Sequence, residues 1–142
     1  MSGPYPIEVI KRSDSPTTVS PAFASASTED IAKRPLKGLR VLELSRVLAA
    51  PVAGRTLAHH GADVIWITSP NLPSLPGSDR DVSRGKRTVQ LDLDTNPGQE
   101  KLRELVKDAD VFIQSYRPGS LEKRGFGAEE LRKLNPGLIY AK

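Results

Sequence analysis

The sequence predicts an α/β fold, a Rossmann-like, mainly parallel sheet with flanking helices. Three observations predict it. From Leu36 onward, short apolar, β-branched runs alternate with stretches of helical period. The first helical stretch carries a face of small residues (Ala50, Ala53, Gly54, Leu57 and Ala58), which lets a helix approach a sheet closely. Two helix-to-strand turns, Gly61-Ala62-Asp63-Val64-Ile65 and Asp108-Ala109-Asp110-Val111-Phe112, repeat one construction.

Residues 1–35 read differently. Pro4, Pro6, Pro16, Pro21 and Pro35 interrupt every element, and residues 13–28 are almost all Ser, Thr, Ala and Pro. Such a stretch buries too little apolar surface to offset its ordering entropy, so an extended or disordered arm is expected. Within it, Tyr5, Ile7, Val9 and Ile10 suit a short edge strand at most. No apolar signal core follows the start, and acids break the pattern of a presequence. A cytoplasmic location is expected, with mitochondria and peroxisomes left open.

From residue 36 to 142 the elements follow in order. Leu39–Leu44 is the first strand, entered past Gly38. Pro51 suits the first turn of the helix, and Gly61 its stop. Residues 63–67, Asp-Val-Ile-Trp-Ile, form a buried-type strand. Pro70, Pro73, Pro76, Gly77 and Gly85 mark Thr68–Arg87 as a long loop, of the kind that carries function. Thr88–Leu93 alternates as a third strand. Asn96 is the expected cap of the next helix, with Pro97 at its first position and Gln99 three residues on. Leu102, Leu105, Val106 and Ala109 line its core face, and Asp110–Ile113 makes a fourth strand. After the Pro118-Gly119 turn, Ala128–Leu134 is a short helix ended by Asn135-Pro136, with Phe126 as its staple. Leu138–Tyr140 begins a fifth strand, so the fold reads as incomplete, with an apolar edge lacking its neighbour.

Composition narrows the chemistry. The 142 residues carry 21 Lys and Arg against 17 Asp and Glu, a net charge of +4, with no cysteine and two histidines. A Cys nucleophile, Cys-ligated zinc and disulfide staples are excluded. No apolar run reaches the roughly 18 residues of a membrane-spanning helix. His59 and His60 fall at a helix end, where the dipole welcomes them, and no metal is expected. Nucleic acid is not an expected partner, since aromatics are 5% and no recognition motif is present. A dinucleotide site is not expected either. The first strand runs into Ser45-Arg46-Val47-Leu48 rather than a glycine fingerprint, and the second ends in Thr68-Ser69 without the ribose-binding acid.

Two segments remain. In residues 80–87, four cations and a glycine suit a phosphorylated ligand, although charge alone favours a solvated, salt-bridged loop. Ser115-Tyr116-Arg117-Pro118-Gly119 leaves the fourth strand at its carboxyl end, where open α/β sheets bind ligands. There Tyr116 and Arg117 either stack on a base and meet a phosphate or simply pack at the rim.

The run from Leu36 to Pro51 is similar to the opening of the family III CoA-transferases of CaiB/BaiF type. That family includes formyl-CoA and carnitine CoA-transferases and α-methylacyl-CoA racemase. The resemblance continues, in order and at family spacing, through residues 61–65, 83–93, 108–111, 116–119, 124–126 and 134–140. It implies a coenzyme A site, formed here by Val47, Leu48, Ala49, Arg84, Lys86, Ser115, Tyr116 and Arg124. Two positions depart from the family pattern: Thr68-Ser69 replaces an acid after the second strand, and Ser115-Tyr116 replaces Asn-Phe.

The resemblance further implies movement of CoA between an acyl-CoA and a small carboxylic acid, through attack of an aspartate on the thioester. That aspartate lies in the family beyond the strand begun at Leu138. No residue here is assigned a catalytic role, and the chain by itself is expected to be inactive. The alternatives are a non-enzymatic or vestigial CoA-binding module and a piece of the racemase branch. Full-length members form interlocked homodimers, which a stretch of this length cannot close.

Overall fold

The computed structural model describes residues 34–73 and 75–142. The expectation of an extended arm falls almost wholly on residues 1–33, outside the described residues. Five strands form one sheet among the described residues: β1 (Arg40–Leu44), β2 (Asp63–Thr68), β3 (Arg87–Gln90), β4 (Val111–Gln114) and β5 (Ile139–Ala141). The sheet order is β3-β2-β1-β4-β5 and every pairing is parallel. The helices are α1 (Ala49–His59), α2 (Pro76–Val82), α3 (Asn96–Lys107) and α4 (Ala128–Leu134), with a single 3-10 turn at Glu122–Arg124. The α/β reading with a parallel sheet holds. The order reverses between β1 and β4, so their carboxyl ends flank the switch point where such sheets bind ligands.

Strand alternation divides the core into two layers. Leu42 and Leu44 of β1 join Phe112, Leu102, Val106, Leu131 and Tyr140 on the face covered by α3 and α4. Val41, Val64 and Ile113 face the other way, against Ala50, Leu57 and Ala58 of α1. Phe112 and Tyr140 stack across β4 and β5, with ring centroids 5.4 Å apart. Asn135 closes the far end of α3 by donating its side-chain amide to the carbonyls of Val106 and Ala109, at 2.9 and 2.7 Å.

Several local readings are corrected. The loop between β2 and β3 contains α2, which begins at a proline and is tied at its start by the Leu75 amide donating to the Asp79 carboxylate at 2.7 Å. The cap of α3 is Thr95, not Asn96: its hydroxyl accepts from Gly98, and Gln99 reaches the Leu93 carbonyl instead of closing a capping box. On α1 the fully buried residues are Pro51 and Gly54, whereas Ala53 is exposed. β3 ends at Gln90 because Asp92 turns the chain, accepting from the Asp94 amide at 3.0 Å. Gly61 does stop α1, at φ +101°, where a side chain would be strained. Phe126, fully buried beside Leu131, staples α4.

Candidate functional site

The loop that leaves β1 carries the least ordinary backbone of the fold. Val47 has φ +72°, a left-handed conformation that a β-branched residue rarely adopts. It persists because its surroundings over-determine it. The Arg46 amide donates to the Ser115 hydroxyl at 3.1 Å, and the Ser78 hydroxyl donates to the Val47 carbonyl at 3.0 Å. Trp66 donates its indole N–H to the Ser45 carbonyl at 3.1 Å, and the Arg46 guanidinium reaches the Pro73 carbonyl. The loop presents Val47 and Leu48 to solvent, 62% and 60% exposed. Helix α1 starts directly after it, with no side-chain cap and no acid in its first turn. Neither a cap side chain nor an acid of its own first turn therefore meets its leading amides.

Beside this loop the carboxyl ends of the strands form two adjoining clefts. One, of about 200 Å³, runs between Leu44, Leu91, Leu93, Tyr116 and Arg124. The other, of about 130 Å³, lies between Ser45, Arg46, Trp66, Pro73 and Tyr116. Ile67, Thr68, Ser69, Leu72 and Tyr116 belong to both, so the two clefts adjoin as one apolar trough with polar rims. Burial pushes the Tyr116 hydroxyl above its usual range, against the pull of the nearby Arg46 and Arg124 charges. Arg124 donates from Nε and Nη2 to one oxygen of Asp94, at 3.0 and 2.7 Å, and from Nη1 to Ser120.

The structure gathers most of the expected site residues here and separates two. Val47, Leu48, Ala49, Ser115, Tyr116 and Arg124 meet at the carboxyl edge. Arg84 opens on a separate concavity with Arg55, Thr56, His59 and Gly85, its side chain 75% exposed and 3.8 Å from Asp81. Lys86 is not on the surface of its basic loop. Its side chain and that of Glu43 are each 0% exposed. The Lys86 ammonium donates to Glu43 Oε1 at 2.9 Å and to the Pro51 carbonyl at 2.8 Å. Glu43 Oε2 lies 2.7 Å from the same nitrogen, off the line of a hydrogen bond. The ammonium also stands 5.5 Å from the centroid of Trp66. Desolvation pushes the Glu43 carboxyl up and the Lys86 ammonium down from their ordinary values, while each partner pulls the other back.

Glu43 and Trp66 are missed when the chain is read as a string, and Gly54 is read only as part of a close-packing helix face. A signal for them exists. Glu43 interrupts the apolar run Val41-Leu42-Glu43-Leu44 of a central parallel strand, which is covered on both faces. A carboxylate there calls for a buried cation or hydrogen-bond donors as its partner. The aspartates at strand ends have structural partners, as their positions suggest: Asp63 pairs with Arg87, and Asp110 accepts from the Arg40 amide. Among the described residues no group of three or more His, Cys, Asp or Glu gathers as metal ligands, and no helix is long and apolar enough to cross a membrane.

Comparison with known proteins follows the same outline. Residues 36–142 match the family model described as CoA-transferase family III. An acetyl-coenzyme A transferase of Hypoxylon pulicicidum is 41% identical over 114 residues, covering 78% of this chain and 19% of that protein. A succinate–glutarate CoA-transferase of Agrobacterium fabrum is 41% identical over 126 residues, covering 76% and 32%. The crystal structure of a CAIB/BAIF family protein from Brucella suis superposes with a TM-score of 0.71 at 39% identity, covering 76% of this chain and 32% of the other. The chain thus spans about a fifth to a third of the length of these relatives.

Proposed function

The chain belongs to CoA-transferase family III, and from that membership we propose that it supplies the coenzyme A-holding edge of an enzyme that moves CoA between an acyl-CoA and a small carboxylic acid. The observation that carries the reading is the loop Ser45–Leu48, strained at Val47 and exposed at Val47 and Leu48, beside an uncapped helix start and the Tyr116 trough. CoA needs donors for its phosphates and apolar walls for its adenine and pantetheine arm. Exposed Val47 and Leu48 offer apolar contact, Tyr116 a ring, and the start of α1 backbone donors. CoA is long, with its 3′-phosphate remote from its thiol; in this reading that phosphate goes to Arg84 and the rest of the molecule to the trough.

In this reading the described residues of this edge bind and orient the ligand rather than attack it. A nucleophilic carboxylate must be free to reach the thioester carbon. Along the trough Asp94 is held by Arg124 and Asp79 by the Leu75 amide, while Glu43 lies buried outside it, held by Lys86. Turnover belongs to the assembled enzyme, and its donor and acceptor pair is set by residues facing the acyl group.

Arg84→Ala gives the cleanest test. The side chain is mostly exposed and only loosely placed against Asp81, so its loss should leave stability unchanged. Calorimetric titration should show CoA binding weakened by about 1.5–3 kcal/mol, as for a charge-assisted contact. Dephospho-CoA should lose less from the same substitution. Equal CoA affinity for wild type and variant would remove Arg84 from the site.

A further inference from the structure

We infer that Glu43 and Lys86 are a positioning pair, which holds the β1–α1 turn in its ligand-binding shape while Lys86 itself touches no ligand. The inference rests on the CoA reading above. The ammonium makes three links at once: to the β1 carboxylate, to the Pro51 carbonyl in the first turn of α1, and to the face of Trp66 on β2. Two of these groups, the Glu43 carboxylate and Trp66, have a second tie into the same turn through Ser45. The Ser45 hydroxyl donates to Glu43 Oε1 at 2.5 Å, and the Trp66 indole donates to the Ser45 carbonyl at 3.1 Å. The turn between Ser45 and Pro51 is therefore pinned at both ends from beneath by one buried cation.

Val47 lies between those two pins and adopts φ +72°. A strained residue held at both ends keeps its conformation without help from the ligand, which is preorganisation. Gly54 completes the arrangement. A Cβ there would come within 1.7 Å of Glu43 Oε2 and 3.2 Å of the Lys86 nitrogen, so the helix admits the pair only through glycine. For Lys86 to reach a phosphate instead, it would have to leave Glu43 charged and unpaired in a closed site. The sequence-based expectation of a Lys86–phosphate contact is incompatible with the burial of this side chain.

Amine acylation followed by mass spectrometry, on the full chain with and without CoA, separates the two roles. Lys86 should stay unmodified in both states, while exposed Lys101 reacts in both. Modification of Lys86 in the free protein, with protection by CoA, would overturn the inference. The second arm is the double variant Glu43→Gln with Lys86→Met, which removes both charges and leaves no ion unpaired. It should melt near wild type yet bind CoA roughly tenfold more weakly, as when a group that orients a binding shell is lost. The near-UV signal of Trp66, the single tryptophan, should change with it. A folded double variant with wild-type CoA affinity would also overturn the inference; should it fail to fold, the acylation result decides. A wild type that binds no CoA removes the CoA reading and this inference together. A wild type that binds, with Lys86 reactive, removes this inference alone.

Discussion

Lys86 shows how far the meaning of a residue depends on what closes over it. In a run of four cations it reads as a solvated surface charge, because the run contains no hint of depth. Its burial is dictated elsewhere, by an acid in the middle of β1 and a glycine on α1. Removing only the cation leaves an uncompensated buried carboxylate, so Lys86→Met should cost about 3–5 kcal/mol in denaturant unfolding, and adding Glu43→Gln should restore most of it. The pair also imposes a pH dependence. The Glu43 carboxyl titrates higher in the folded chain than its ordinary 4.5, so the folded state binds more protons just above that pH. Stability from this group therefore falls as pH rises from 4.5 through the raised value. The Lys86 ammonium titrates below its ordinary 10.5, so the unfolded state binds more protons there, and stability rises with pH up to about 10.5. Melting temperatures across pH should show both slopes in the wild type and neither in the double variant. Slopes unchanged in the double variant would assign them to other groups.

At the scale of elements, the strands were the most legible part. Apolar runs in β2 and β4, and in β1 apart from Glu43, announce strands covered on both faces, and the structure covers them so. Helix α2 was illegible for a physical reason. Its seven residues span two turns with hardly any apolar period, and Pro76 and Gly77 read as breakers although proline is at home in a first turn. The cap of α3 was displaced by one residue because Thr95 and Asn96 are both good caps, and the Asp92 turn decides between them. Two of the helical glycines, Gly54 and Gly77, separate packing from propensity. Gly54→Ala drives a methyl group into a pinned carboxylate and should destabilise the chain by about 3 kcal/mol, at the upper end for overpacking. Gly77→Ala meets nothing within 4 Å and should be neutral or stabilising by up to about 1 kcal/mol. Thermal melts of the two variants compare them directly, and equal losses would contradict the close approach of α1 to the sheet.

At the scale of the whole molecule, the parallel order β3-β2-β1-β4-β5 brings together segments far apart in sequence. Loop 45–48 and turn 115–116 are joined by the Arg46–Ser115 hydrogen bond across some seventy residues. That union was legible only through resemblance to a family, since neither segment carries a motif that names its ligand. The division of the basic loop was not legible at all: Arg84 faces outward and Lys86 inward, two residues apart, because one precedes the Gly85 turn and the other follows it. The carboxylates along the trough predict a separation of binding from chemistry. With an acyl-CoA present, mass spectrometry should find no acyl or CoA adduct on Asp79 or Asp94; an adduct lost on substitution by Asn would make that residue a nucleophile.

The carboxyl edge between β1 and β4 is the proposed seat of coenzyme A. Amide hydrogen exchange on the full chain, with and without saturating CoA, tests it most directly, because it reads the backbone of the loop itself. Exchange should slow at residues 46–50 and 115–116, and stay unchanged at the opposite edge around Asp63 and Arg87, where a surface ion pair joins β2 to β3. CoA binding that leaves residues 46–50 and 115–116 unaltered, with protection elsewhere, would contradict the account.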